Sequence, residues 1–157
     1  MNDLFMLVNK LKTYLNVNRV KFVTIHHSPA YTAQEIADSA HISGKDLAKT
    51  VIVRIDDELA MVVLPASELV DCSTISKVAN GATVSIANEE EFSSQFPDCE
   101  IGAMPPFGNL YDMKVYQSRA LAEDDEIAFN ACSHTELIKM KYADFERLTE
   151  ESTTLFP

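Results

Sequence analysis

Leu47-Ala48-Lys49-Thr50-Val51-Ile52-Val53-Arg54-Ile55, then Asp56-Asp57-Glu58, then Leu59-Ala60-Met61-Val62-Val63-Leu64, is the stretch whose reading decides the fold. β-Branched residues dominate the first run, which predicts a strand. The acidic triplet predicts a polar turn. The second run is apolar at every position, as suits a central strand covered on both faces. Strand side chains alternate between faces. Lys49 therefore shares a face with Val51, Val53 and Ile55, while Thr50, Ile52 and Arg54 take the other. A lysine on the more apolar face of a central hairpin is costly to bury without a reason. The alternative is a side chain that snorkels to water along its own methylenes.

Toward the N-terminus, residues 3–16 predict an amphipathic helix. Asp3 can cap it, and Leu4, Leu7, Val8, Leu11 and Leu15 fall on one face. Phe22 to His26 alternates like a short strand and ends at Ser28-Pro29. Thr32-Ala33-Gln34-Glu35 is a capping box that opens a helix reaching His41. Beyond the hairpin, residues 74–80 predict a helix stopped by Gly81. Residues 83–87 predict a strand, and 88–96 a short helix whose Glu89-Glu90-Glu91 start suits the helix dipole. Residues 113–117, 126–131 and 137–141 predict strands, and 142–148 a closing helix. Short strands and helices without regular alternation indicate α+β or an irregular mixed sheet. Residues 150–157 are expected to fray.

The 157 residues suit one domain with its own core. No apolar run reaches the length of a membrane span. The N-terminal residues resemble no signal peptide, so a cytoplasmic protein is expected, with no membrane partner. Cys72, Cys99 and Cys132 are widely spaced and odd in number, which argues for reduced thiols. The net charge of −11 disfavours non-specific adhesion to nucleic acid, and no DNA partner is expected. RNA contact would need a local basic patch.

Two further stretches carry candidate chemistry. Ile101-Gly102-Ala103-Met104-Pro105-Pro106-Phe107-Gly108 combines stiff prolines with free N–H groups at Gly102, Ala103 and Met104. Such a loop can hold a developing oxyanion, or can be a plain connection. Asn130-Ala131-Cys132-Ser133-His134-Thr135-Glu136 places a thiol, a hydroxyl and an imidazole close together. Cys132 and His134 give half a zinc site, with no second ligand pair, so no metal is expected. They are also a conceivable nucleophile pair. More often such a cluster is a polar loop with a partly buried thiol.

Taken together, these stretches resemble the YbaK/ProX family of aminoacyl-tRNA deacylases, which includes the editing domain of many bacterial prolyl-tRNA synthetases. The resemblance runs from about Val20 to Leu148 and rests on three motifs in order. They are Ala48-Lys49-Thr50 opening a hydrophobic strand, Gly102-Ala103-Met104-Pro105-Pro106 as a G-x-x-x-P loop extended by Phe107-Gly108, and the closing segment from Asn130 to Met140. Thr50 after the lysine is like the YbaK branch. Two positions depart from the pattern. Cys132 and Ala103 stand where glycine is common, and either would narrow the pocket or move the backbone.

The resemblance implies a mixed, barrel-like sheet flanked by helices. Residues 20–149 would form the deacylase domain, with the helix of residues 1–19 packed on it. It also implies hydrolysis of the ester joining a wrong, small amino acid such as Ala, Ser or Cys to tRNA, by a free-standing enzyme. An ester is already activated, so a positioned water and oxyanion stabilisation suffice, without a cofactor. Lys49 and Gly102 would be catalytic. Thr50, Ala103, Met104, Pro106, Phe107, Gly108, Cys132 and His134 would surround the substrate. The partner would be the 3′ end of an aminoacyl-tRNA, with a synthetase as a candidate second partner. Lys45, Lys114, Arg119, Lys139 and Lys141 neighbour the motifs and are candidate phosphate contacts. The alternatives are a binding module of the same fold without chemistry, or a hydrolase using Cys132 and His134.

Overall fold

The central hairpin forms as its alternation demands. In the computed structural model, which describes residues 10–28, 35, 40, 42 and 46–157, strand β2 (Ala48–Ile55) pairs antiparallel with β3 (Glu58–Pro65) across the Asp56-Asp57 turn. Asp56 sits at φ 53°, a conformation that aspartate tolerates better than most residues. Both faces of the hairpin are covered. Ile52, Met61 and Val63 enter the main core, and Val53, Ala60, Val62 and Leu64 enter a second one.

Strand β4 (Val84–Ile86) pairs with the outer side of β2. On the other side β3 runs parallel to β5 (Val115–Ser118), and β5 runs parallel to β8 (Thr153–Phe156). This gives a sheet ordered β4-β2-β3-β5-β8. A second antiparallel sheet has the order β1-β7-β6, from β1 (Phe22–His26), β6 (Glu126–Ser133) and β7 (Glu136–Lys141). One parallel bridge, Leu47 to Ala128, joins the two sheets. The expected barrel-like sheet is therefore two sheets that lean together without closing.

Helix α1 (Lys10–Val17) buries Leu11 and Leu15 in the main core. Residues 1–9, including the expected Asp3 cap, lie outside the described residues. So does most of the helix expected over 32–41. Helix α2 (Cys72–Val78) is capped by Asp71 and is followed by Gly81 at φ 81°. Helix α3 (Glu89–Phe92) carries a complete capping box between Asn88 and Glu91, as its acidic start suggested. Helix α4 (Tyr142–Thr149) buries Tyr142 and Phe145. No helix among the described residues is long and apolar enough to cross a membrane.

The tail does not fray. Residues 153–156 form β8, and Phe156 packs with Val62 and Tyr116 in the second core. The bare edge of β5 supplies the reason. An unpaired strand edge leaves N–H and C=O groups without partners, and a Thr-Thr-Leu-Phe segment has the β propensity to cover it.

Candidate active site

Lys49 stands near the start of β2, half-buried, opposite Leu64. Burial lowers its pKa from the ordinary lysine value, and the Glu68 carboxylate partly opposes this. The cation is thus partly desolvated and has an acidic neighbour, unlike a lysine that simply snorkels to water. Thr50, half-buried, faces the other way, opposite Val63.

The Gly102 loop is built by the bulge of β6. Strand pairing between β6 and β7 slips between Asn130 and Ser133. At the slip Cys132 adopts φ 66°. That is the left-handed region where glycine costs least, which explains why glycine suits this position and why Cys132 is a departure. The Cys132 N–H donates to Ala103 O at 3.0 Å, and Cys132 O accepts from Glu100 N at 3.0 Å. The Glu100 carboxylate accepts the His134 N–H at 2.7 Å. His134 Nε2 donates to Ile101 O at 2.8 Å, since a carbonyl can only accept. The turn at 100–103 is therefore tied to β6 from both sides.

Gly102 is exposed at φ 89°, and a Cβ there would sit 3.4 Å from His134 Cε1. Its N–H donates to Met104 Sδ at 3.2 Å, and the Ala103 N–H donates to Glu100 O at 3.0 Å. Of the three N–H groups expected to face an oxyanion, only that of Met104 has no partner among the described residues. Thioether sulfur is a weak acceptor, so the Gly102 N–H loses little by turning to a better one where the turn is free to move. Ala103 is fully buried and its φ is not positive, so its methyl group in place of glycine strains nothing.

Several residues expected around the substrate are buried in the core. Phe107 is fully buried, with its ring 5.4 Å from Phe129, 5.3 Å from Phe145 and 5.9 Å from Tyr14. A Cβ on Gly108 would collide with Met113 O, so this glycine exists for close backbone packing. Pro106 is buried beside them, and Met104 packs in the main core. These residues shape the loop from behind.

The expected thiols are not all reduced. Cys99 and Cys132 are joined in a disulfide, and Cys72 is free. Tertiary packing brings together cysteines 33 positions apart, a pairing that odd number and wide spacing conceal. The His134 ring nitrogen Nε2 is turned to Ile101 O, and in the disulfide-bonded form the Cys132 sulfur is not free to act as a nucleophile.

Lys49 and the Gly102 turn share no hydrogen bond among the described residues, but β6 links them. Its Ala128 end bridges Leu47, two residues before Lys49, and its Cys132 end holds Ala103. About 13 Å of strand separates those ends, at roughly 3.3 Å per residue. Between them Asn130 is buried, with its Oδ1 unpartnered among the described residues. Sequence reading passed over Asn130; the available signal was an asparagine inside an apolar strand.

The phosphate candidates are poorly placed. Lys114 lines a cavity of about 840 Å³ together with Asp56, Asp57, Glu58 and Asp112. Lys139 lies 3.7 Å from Glu126, near Asp124 and Asp125. Arg119 and Lys141 are exposed, and Lys45 lies outside the described residues.

Comparison with known proteins agrees with the fold. The model of the aminoacyl-tRNA editing domain matches residues 27–148. A "Multifunctional Ser/Thr-tRNA deacylase ProXp-y" from Escherichia coli K12 is 23% identical over 94% of this chain and 90% of its own length. A "Proline--tRNA ligase" from Bacillus cereus is 23% identical over 64% of this chain, a match that spans only 17% of the ligase. The crystal structure of a candidate trans-editing enzyme for prolyl tRNA synthetase superposes with a TM-score of 0.79 at 16% identity, covering 96% of both chains.

Proposed function

The chain belongs to the aminoacyl-tRNA editing domain family, and from that premise we propose that it removes small, wrongly attached amino acids from tRNA in trans, seryl esters foremost. The observation that carries the proposal is Lys49, a half-buried cation at the opening of the central strand. Similarity to the deacylase over nearly the full length of both chains supports action in trans. An intact lysine and G-x-x-x-P loop together favour chemistry over a binding module, which needs neither.

The reaction is ester hydrolysis. Water adds to the carbonyl, the tetrahedral oxyanion collapses, and the ribose 3′-oxygen leaves with a proton. The Lys49 ammonium, in surroundings drier than bulk water, offsets the oxyanion charge more strongly than it would in solvent. The Met104 N–H, and the Gly102 N–H once released from the thioether, offer hydrogen-bond donors to the substrate's oxygens from the other end of β6. The neighbouring ribose 2′-hydroxyl helps to orient the water. Asn130 Oδ1 offers an acceptor to the substrate's α-amino group. A synthetase that captures the tRNA would compensate for the acidic surface.

The test is a deacylation panel. tRNA(Pro), tRNA(Ala) and tRNA(Thr) are charged with Ala, Ser, Cys, Thr or Pro, and release is followed with time. Faster loss of Ser than of cognate Pro is expected. Release no faster than the spontaneous rate from every substrate would reject the proposal.

A further inference from the structure

Behind the Gly102 turn lies a buried polar cluster that ester hydrolysis does not use. Tyr111 OH donates to Asp98 Oδ2 at 2.9 Å and lies 3.4 Å from Cys99 Sγ and 3.8 Å from Cys132 Sγ. Asp98 Oδ2 is 4.0 Å from Cys132 Sγ. Asp98, Cys132 and Tyr111 are at most 9% exposed, while Cys99 is half-buried. Cys99 is therefore the more exposed cysteine of the pair, and Cys132 is enclosed.

We propose that Cys99 and Cys132 form a reversible thiol–disulfide modification site, oxidised by a low-molecular-weight disulfide of the glutathione class, and that the bond closes the editing loop. The proposal rests on the deacylase reading for its effect on rate, but not for the bond itself. In the reduced protein the more exposed Cys99 thiolate attacks one sulfur of the small disulfide. That S–S bond breaks, and one small thiolate leaves and takes up the proton that Cys99 lost. Asp98 Oδ2, 4.0 Å from Cys132 Sγ, is the carboxylate that accepts the Cys132 proton. The Cys132 thiolate then attacks Cys99 Sγ in the mixed disulfide, and the second small thiolate departs with that proton. Two electrons pass from the protein thiols to the small disulfide, which becomes two thiols. Exchange in the reverse direction reopens the bond.

The direction of control follows from what the bond fixes. Cys99 begins the 100–103 turn, and Cys132 is the bulge residue that grips both Glu100 and Ala103. With the sulfurs joined, the turn is held where the Ala103 N–H serves Glu100 O and the Gly102 N–H serves Met104. Both donors then point into the protein. Without the covalent tie only hydrogen bonds hold the turn, and these can exchange for bonds to an oxyanion. Oxidation is thus the off state.

The full chain is equilibrated in glutathione buffers from reducing to oxidising, alkylated, digested and analysed by mass spectrometry. Parallel samples give hydrogen exchange at residues 100–103 and hydrolysis of mischarged tRNA. Oxidation should yield a Cys99–Cys132 cross-linked peptide with Cys72 still alkylated, and slower exchange at Ala103. The hydrolysis rate should fall on the order of a hundredfold, the scale of one lost oxyanion donor, and recover with dithiothreitol. Cys99→Ser should keep the full reduced rate and show no response to oxidant. Alkylation of both Cys99 and Cys132 in oxidising buffer overturns the proposal. So does a cross-link that leaves exchange and rate unchanged. If no buffer gives deacylation, the deacylase reading fails on its own; the modification site then stands on the cross-link with slowed exchange, and falls without them.

Discussion

At the scale of single residues, Lys49 has the most to explain. Burial lowers its pKa and Glu68 partly restores it. Acting as a cation, it gives a rate that stays flat through neutral pH and falls as pH rises through the lowered value. Glu68→Gln removes the opposing carboxylate, so that alkaline fall should begin at lower pH, and a pH–rate profile of the variant checks it. A base role gives the opposite sign, a rate that rises through the same pKa. The lysine also affects stability. Below the ordinary value of about 10.4, and above the lowered one, the unfolded chain binds more protons than the folded chain. Stability therefore rises with pH across that window, and Lys49→Ala should flatten the rise while abolishing deacylation. Gly102→Ala adds a Cβ at φ 89°, where side chains are strained. Its expected loss is about a hundredfold in kcat, with the fold kept, read by kinetics alongside circular dichroism. Asn130→Ala should lower kcat/KM about tenfold, the scale of one hydrogen bond to a charged group.

At the scale of elements, the loop 104–108 works as a buttress. Pro105 and Pro106 stiffen it, Gly108 lets it touch Met113, and Phe107 anchors it between α4 and β6. Helix α1 holds the same segment from outside, through Asn109 Nδ2 donating to Tyr14 OH at 2.8 Å and Lys10 Nζ donating to Leu110 O at 3.1 Å. Phe107→Ala should therefore cost about 3–5 kcal/mol of stability, measured by urea unfolding, rather than act on substrate binding alone.

At the scale of the molecule, charge and covalent closure dominate. With a net charge of −11, and acids around Lys114 and Lys139, affinity for bare tRNA should be weak and fall steeply with salt in a titration. The disulfide closes a long loop, with a sequence separation of 33. Chain-entropy reasoning gives it about 3–4 kcal/mol of stabilisation, so reduction should lower Tm by roughly 10 °C in calorimetry.

The sequence by itself determined the central hairpin, its two covered faces, the capped helices and the separate strands β6 and β7. Each depends on local periodicity or capping, which a single chain carries in the order of its residues. It also determined the three motifs on which the family rests, including Lys49 as the residue of interest. Tertiary structure alone decided the rest. That two sheets lean together instead of closing depends on one bridge between Leu47 and Ala128. That 153–156 is a strand depends on the free edge of β5. That Phe107 and Gly108 face the core depends on where the loop docks. Cys99 meets Cys132 because a bulge turns one strand residue to φ 66° and folds a distant turn against it. Contacts between residues far apart in the chain leave no period in the sequence, and these are the ones it could not disclose.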